Sequence, residues 1–399
     1  MQRAMFVRLL PILGITFIDI LGFSILIPLL PFFVKKFGAS DFTVGAVFAT
    51  YSLCQLFAGP IWGNLSDRVG RKTVLIVSQA GATLAWLLLG FAPSLVWVFV
   101  SRALEGFSGG NLGVTQAYVG DLVPPEKRGQ AFAYVGAAFS LGFVFGPALG
   151  GWLATAYGYA VPFLVAAGLQ AVTLGLTIVL LPESRAGATE EAKNAVGLRD
   201  IVRSLADRQV APVLWLRLVY VLGMYGWFGA MALILNRQLG WGVAQTAYVF
   251  AAFGVLQVLL SVAVVGRVTG ALGNRVATNL GLALCTAAFA LVPWATTVPL
   301  AVVVLALFGI GISIENAAFP ALASDVAPDD RRGTVLGVVS GLDSLAGFVM
   351  PPIVTGVLGA FGVGPAAAIV TALVGIATVL GVLQTRKQAI PAVAATTAE

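Results

Sequence analysis

Five ionisable side chains stand inside long apolar runs of this sequence: Asp19, Arg102, Glu105, Glu315 and Asp343. A charge at the centre of a bilayer costs ~3 kcal/mol on insertion scales, so such residues face a partner or a water-filled cavity. Asp19 has no cation within reach on its own helix. Burial disfavours the charged form of a carboxyl, which suits a proton carrier or a partner for a cationic substrate. The plain alternative is a carboxyl hydrogen-bonded to a neighbouring helix. Arg102 and Glu105 are three residues apart and share a helix face. They read either as a relay, with Arg102 tuning a carrier acid because a guanidinium keeps its proton, or as a simple neutralising pair. Glu315, beside Asn316, reads as a site for a substrate cation, and Asp343 either as a cavity group or as an acid of the vestibule. The chain contains no histidine, so proton chemistry near neutral pH falls to carboxylates.

A second constellation is the charged loop Gly63-Asn64-Leu65-Ser66-Asp67-Arg68-Val69-Gly70-Arg71-Lys72, wedged between two apolar stretches. Its cations belong at a membrane surface, and Gly63 and Gly70 permit close approach or positive φ. Asp67 is the odd member, an acid where positive charge collects. A third is the run Gly142, Gly146, Gly150, Gly151, whose period of four puts small residues on one helix face for close packing. Pro147 within it removes a backbone hydrogen bond. Tyr51, Tyr118, Tyr134, Tyr225, Trp227 and Phe228 are candidate linings of an apolar pocket, with plain core packing as the alternative.

These residues need a membrane scaffold to position them. Hydrophobic residues make up 59% of the chain and charged ones 10%, with a mean hydropathy of +0.96; a soluble domain runs nearer a quarter charged. A span takes ~20 apolar residues. On that ruler twelve are expected, near 9–33, 43–63, 73–92, 95–118, 130–156, 161–181, 212–235, 244–266, 277–295, 298–322, 334–359 and 365–384. The implied organisation is a six-helix half over 1–181, a cytoplasmic linker over 182–211, a second half over 212–386 and a disordered tail over 387–399. The first apolar stretch reads as a span, being too long for a cleavable signal peptide and lacking a small-residue cleavage site.

Every Lys and Arg except Lys35, Lys36, Arg237 and Arg102 lies in a terminus, at the foot of span 1 or 7, or in a loop after an even-numbered span. The positive-inside rule then puts both termini in the cytoplasm. The net charge of +6 is thus a topology signal and implies no nucleic acid. Cys54 and Cys285 fall inside spans and read as packing residues. There is no Gly-x-x-x-x-Gly-Lys-Ser/Thr loop, no metal-ligand cluster and no nucleophile–base constellation, so no nucleotide, cofactor or enzymatic reaction is expected.

The halves repeat. Asp121-Leu-Val-Pro124-Pro-Glu126-Lys127-Arg128-Gly129 recurs 204 residues on as Asp325-Val-Ala-Pro328-Asp-Asp330-Arg331-Arg332-Gly333. Pro147 maps onto Pro351 at the same offset, Asn111 onto Glu315, and Gly63…Gly70 onto Gly266…Gly273 at 203, with Gly270 replacing Asp67. Parallel duplication of six spans implies a central cavity and rocking halves.

The charged loop resembles the signature loop between spans 2 and 3 of the major facilitator superfamily, and the resemblance covers the chain apart from linker and tail. Leu21-Gly22-Phe23 through Pro28-Leu-Leu-Pro31, Arg102-Ala-Leu-Glu105-Gly106 and Gly142-Phe-Val-Phe-Gly146-Pro147-Ala-Leu-Gly150-Gly151 are similar to motifs of its twelve-span drug/proton antiporter branch. Asp19 ahead of Leu21-Gly22 resembles the tetracycline exporters, although span 9 carries no acid. The resemblance implies an all-α transporter of two pseudo-symmetric six-helix halves in the bacterial inner membrane. It implies export of amphipathic or cationic small molecules against protons, by a monomer in lipid. Arg102 would act in coupling and the glycine run would seal against leak. A latch of Gly63, Asp67, Arg68, Gly70 and Arg71 would set Asp67 against the start of span 11 near Gly333, where the helix dipole favours an anion. The alternatives are an uptake permease or lipid/metabolite transporter on the same scaffold, or a non-transporting membrane sensor.

Overall fold

A computed structural model describes the chain except Met1 and residues 110–111, 124–127, 184–197, 329–330 and 397–399. The described residues are helical throughout, with no strand. The helices are α1 (Gln2–Lys35), α2 (Asp41–Val69), α3 (Arg71–Gly90), α4 (Leu95–Ser108), α5 (Leu112–Leu122), α6 (Arg128–Tyr157), α7 (Ala160–Leu180), α8 (Leu198–Ala206), α9 (Ala211–Leu239), α10 (Val243–Leu260), α11 (Gly266–Leu291), α12 (Val298–Val326), α13 (Arg332–Phe361) and α14 (Val363–Thr396). Helices suit this composition because each backbone donor finds its acceptor within the segment, which hydrocarbon demands.

Among the described residues ten helical stretches are long and apolar enough to cross a membrane. The difference from twelve has two causes. Span 4 is described in two pieces, α4 ending at Ser108 and α5 starting at Leu112, with residues 110–111 between them outside the described residues. At the end of α4, Phe107 O accepts from Trp62 Nε1 at 2.5 Å and Ser108 O from Ser78 Oγ at 2.6 Å. A π-helical turn at Ser261–Val265 lies within span 8. Spans 8 and 9 follow each other without a gap and count as one stretch, Val243–Trp294, yet they are two helices divided at Gly273, which is non-helical with φ of 75°. Its partner in the repeat, Gly70, separates α2 from α3 with φ of 100°. Both copies of the loop thus place glycine in the left-handed region at the same point, where a side chain would be strained. The last helix continues to Thr396 and takes in most of the Ala/Thr-rich tail.

Two compact units are found, Met1–Ala195 with Leu235–Val255, and Val196–Ile234 with Leu256–Glu399. In the first, α1 packs most extensively on α6 and α7, α2 on α4, and α3 on α7. The glycine run makes the α1–α6 approach possible. A methyl group on Gly142 would stand 2.9 Å from Phe17 O, and one on Gly146 would stand 2.6 Å from Leu21 O. Ser24 Oγ, on α1, donates across the seam to Gly142 O at 2.9 Å. Gly151 turns the other way, onto Ala247 of α10. The end of α9 joins this unit through Asp41, which pairs with Lys35 Nζ at 2.5 Å and with Arg237.

In the second unit α11 packs on α12 and α14, and Trp227, Phe289 and Phe308 form one ring cluster. The short helix α8, within the expected linker, sets Ile201 against Gly341 of α13. Asp207 follows it, accepting from the Gln209 amide at 2.9 Å and from Arg331 Nη1 at 2.8 Å. Those donors hold its carboxyl below the usual carboxylate range.

Two outcomes follow. Gly146→Val should lower the thermal midpoint in detergent, overpacking costing ~1–3 kcal/mol, while Gly136→Ala, with open space around it, should leave the midpoint unchanged. Because the folded pKa of Asp207 is depressed, its contribution is present above the ordinary carboxylate pKa and fades as pH falls through the folded value. Protection of α8 from limited proteolysis should therefore hold at neutral pH, weaken in strong acid, and be lost at neutral pH in Asp207→Asn.

Candidate functional site

Asp19 sits midway along α1, facing α7. Its Oδ1 accepts from Gln170 Nε2 at 2.9 Å and lies 3.3 Å from Thr173 Oγ1. Gln170 and Thr173 are three apart on one face of α7, both buried, and joined at 3.2 Å. No cation pairs with Asp19 among the described residues. The neighbouring-helix hydrogen bond weighed as the plain reading is present. It does not cancel charge: an amide and a hydroxyl solvate a carboxylate and serve a protonated carboxyl as well.

Arg102 and Glu105 are paired along α4, with side chains 1% and 6% exposed. The Arg102 guanidinium lies 5.1 Å from the Trp86 ring centroid and donates to Ser101 Oγ at 3.2 Å. Gly106 lets α4 approach α2, where a methyl group would collide with the Tyr51 carbonyl oxygen. Arg102 and Glu105 thus neutralise each other, and no ion pair joins Arg102 to Asp19 among the described residues.

The charged loop is a hub on Arg71. Its Nη2 meets Asp67 Oδ1 at 2.7 Å, its Nε meets Asp121 Oδ2 at 3.4 Å, and its Nη1 donates to Ser66 Oγ at 2.5 Å. Glu183 accepts from the Arg71 and Lys72 amides at 2.8 and 3.3 Å. An anion there answers unpaired donors at a helix N-terminus. Lys72 Nζ donates to Ile178 O at 2.8 Å and Tyr118 Oη to Pro182 O at 2.9 Å. Both tie the end of α7 to the hub. Arg68 is exposed and Gly63 half-buried. Asp67 is therefore a partner of Arg71 within its own half. In the second copy Asn274 stands where the repeat places Arg71, and it donates to Asp325 at 2.9 Å. The same geometry is kept there without the charge.

The second unit holds a cluster that sequence reading divided wrongly. Arg217 Nη1 donates to both oxygens of Glu315, at 3.0 and 3.3 Å, and its Nε and Nη2 donate to Asp343 at 3.1 and 3.0 Å. The guanidinium lies 5.0 Å from the Phe319 ring centroid and 5.7 Å from that of Tyr220. Arg217 lies at the foot of span 7, where a cation reads as a topology signal, and Glu315 and Asp343 stand on separate spans. One residue forks both, so the five ionisable groups expected inside spans become six. Asn316 is exposed and Tyr225 half-buried, while Tyr134 packs on the first unit's core and Trp227 belongs to the ring cluster. Asn111 lies outside the described residues.

Gln170, Thr173, Asp121 and Glu183 were also missed. Asp121 carried a signal, since it opens the repeated motif. Gln170 and Thr173 carried the faint one of polar residues three apart in an otherwise apolar span. Glu105→Gln should destabilise the protein by ~3–5 kcal/mol, because it leaves Arg102 buried and unpaired. Arg102→Leu with Glu105→Leu should restore the thermal midpoint to near wild type, which a melting series in detergent reads directly.

The sequence profile of the Major Facilitator Superfamily matches residues 12–351 and 213–398. The chain is 29% identical over 367 residues to the class C tetracycline resistance protein of Escherichia coli, covering 88% of this chain and 90% of that one. It is 26% identical to multidrug resistance protein 2 of Bacillus subtilis, covering 90% and 89%. Its fold is similar to the human organic anion transporter MFSD10 (TETRAN), with a TM-score of 0.73 at 22% identity over 94% of this chain and 98% of that one. Long apolar helices, a six-span duplication, the hub on Arg71 and these matches converge: this chain is a multi-pass membrane transporter of the Major Facilitator Superfamily, not an enzyme.

Proposed function

We propose that the protein exports amphipathic or cationic small molecules in exchange for protons, as a monomer in a bacterial inner membrane with both termini in the cytoplasm. The observation that carries the reading is Asp19, an acid in mid-span whose partners among the described residues are neutral donors. Such a group can gain and lose a proton without breaking an ion pair or rearranging its neighbours. The efflux proteins among the relatives support the direction of transport, and the positive-inside pattern supports the orientation.

In the proposed cycle Asp19 takes a proton from outside and gives it up inside as substrate binds, while the halves over 1–181 and 212–386 rock about a central cavity. Glu105, cancelled by Arg102, tunes this exchange rather than carrying the proton. Arg71 and Asp67 act as a latch on the cytoplasmic side, and the second copy of the loop, with Gly270 in place of Asp67, makes the latch one-sided.

In proteoliposomes with an imposed pH gradient, Asp19→Asn should reduce dye efflux to background while leaving insertion and the thermal midpoint intact. Full gradient-driven efflux by that variant would rule Asp19 out as the carrier. Asp67→Asn should slow turnover with substrate affinity unchanged, and wild-type turnover would dismiss the latch.

A further inference from the structure

Hydrocarbon offers a buried polar group no partner but protein or trapped water, and an unmet one is costly there. Many span hydroxyls of this chain answer by bonding the carbonyl four residues back on their own helix, as Thr16, Thr83 and Thr155 do. Two groups of the first unit do not. Gln79 on α3 and Thr177 on α7 are fully buried. Neither Oε1 nor Nε2 of Gln79, nor Oγ1 of Thr177, has a hydrogen-bond partner among the described residues. Contacts between α3 and α7 locate Gln79. Lys72 reaches Ile178 O, and Trp86 stacks on Phe163 with ring centroids 6.3 Å apart, so the two helices run antiparallel. Gln79 is seven residues from Lys72 and seven from Trp86, on the face of α3 that they share. Halfway between Ile178 and Phe163 on α7 stand Gln170 and Thr173, the two residues that hold Asp19. Thr177 extends their face by one turn and lies next to Ile178, beside the charged hub.

We propose that the seam between α1, α3 and α7 binds a short file of water molecules, held by Gln79, Gln170, Thr173 and Thr177, which joins Asp19 to the solvent at the charged hub. A buried water makes about three hydrogen bonds to otherwise unmet groups, and Gln79 and Thr177 supply three such atoms. Gln170 and Thr177 are about 10 Å apart along the helix, a gap that about three waters fill at ordinary hydrogen-bond lengths. No residue of α7 is ionisable, so water, not a side chain, moves charge along it. A proton leaving the Asp19 carboxyl makes the first water a hydronium. Each water hands one proton to the next until the solvent at the hub takes it up, and the carboxylate left behind keeps its Gln170 and Thr173 donors. This deepens the export reading and rests on it for the role of the file in transport. The water itself needs no gradient and no substrate.

The test uses the full-length protein in lipid vesicles, its glutamine side chains labelled with nitrogen-15, and reads magnetisation passed from water by solid-state NMR. The Gln79 signal is the one missing from Gln79→Leu. It should build up at a rate within about threefold of that of exposed Gln209. With a pH gradient imposed on unlabelled vesicles, Gln79→Leu and Thr177→Val should each slow dye efflux at least about tenfold. The KM for dye, the dye-for-dye exchange and the thermal midpoint should not change. Thr83→Val, one turn along α3 with its hydroxyl returned to the Gln79 carbonyl, should match wild type. A Gln79 signal that receives nothing from water overturns the proposal, and so does wild-type efflux in Gln79→Leu. Equal loss of efflux and exchange in that variant overturns it too, by making Gln79 a packing residue. Water contact at Gln79 in a wild-type protein that shows no gradient-driven efflux would refute export and leave the water site standing.

Discussion

Charge inside hydrocarbon must be cancelled where it stands, and the chain meets that demand in three ways. Arg102 and Glu105 cancel each other one turn apart on a single helix, which fixes α4 but frees no charge for exchange. Arg217 reaches across to two helices and binds an acid on each, leaving one negative charge over. Among the described residues Asp19 has no ionic partner and is met by an amide and a hydroxyl. Neutral donors tolerate both the ionised and the protonated carboxyl, whereas an arginine fork favours only the first.

Duplication supplies the frame and divergence supplies the asymmetry. Gly70 and Gly273 adopt the same left-handed turn in the two copies, so the backbone of the loop was inherited unchanged. The side chains were not. Arg71 gathers Asp67, Asp121 and Ser66, while Asn274 at the matching place donates to Asp325. An ionic hub responds to changes of charge nearby and an amide hydrogen bond responds far less. The proposed one-sided latch follows from that difference.

How far the sequence could be read depended on whether the signal was local. Apolar length gave the spans, and the repeat, the Arg102–Glu105 pair and the period-four glycines were all visible because they need only one helix or one offset. The boundary between spans 8 and 9 was legible too, because Gly273 repeats Gly70 and divides the two helices at the same point of the loop. The donors that Trp62 and Ser78 supply to Phe107 O and Ser108 O were hidden because they stand on other helices. Arg217 was misjudged for a different reason. Six residues into α9 it sits where topology-setting cations normally lie, and its partners are about a hundred residues away on α12 and α13. The neutral partners of Asp19 were harder still, since glutamine and threonine in a span carry no charge to flag them.

The central claim is that Asp19 holds an exchangeable proton in an apolar span. Infrared difference spectra of the reconstituted protein between acidic and alkaline buffer test it most directly. A protonated-carboxyl carbonyl band that appears at low pH in wild type and is missing from Asp19→Asn is the result this account predicts. The same band at full strength in Asp19→Asn would contradict it.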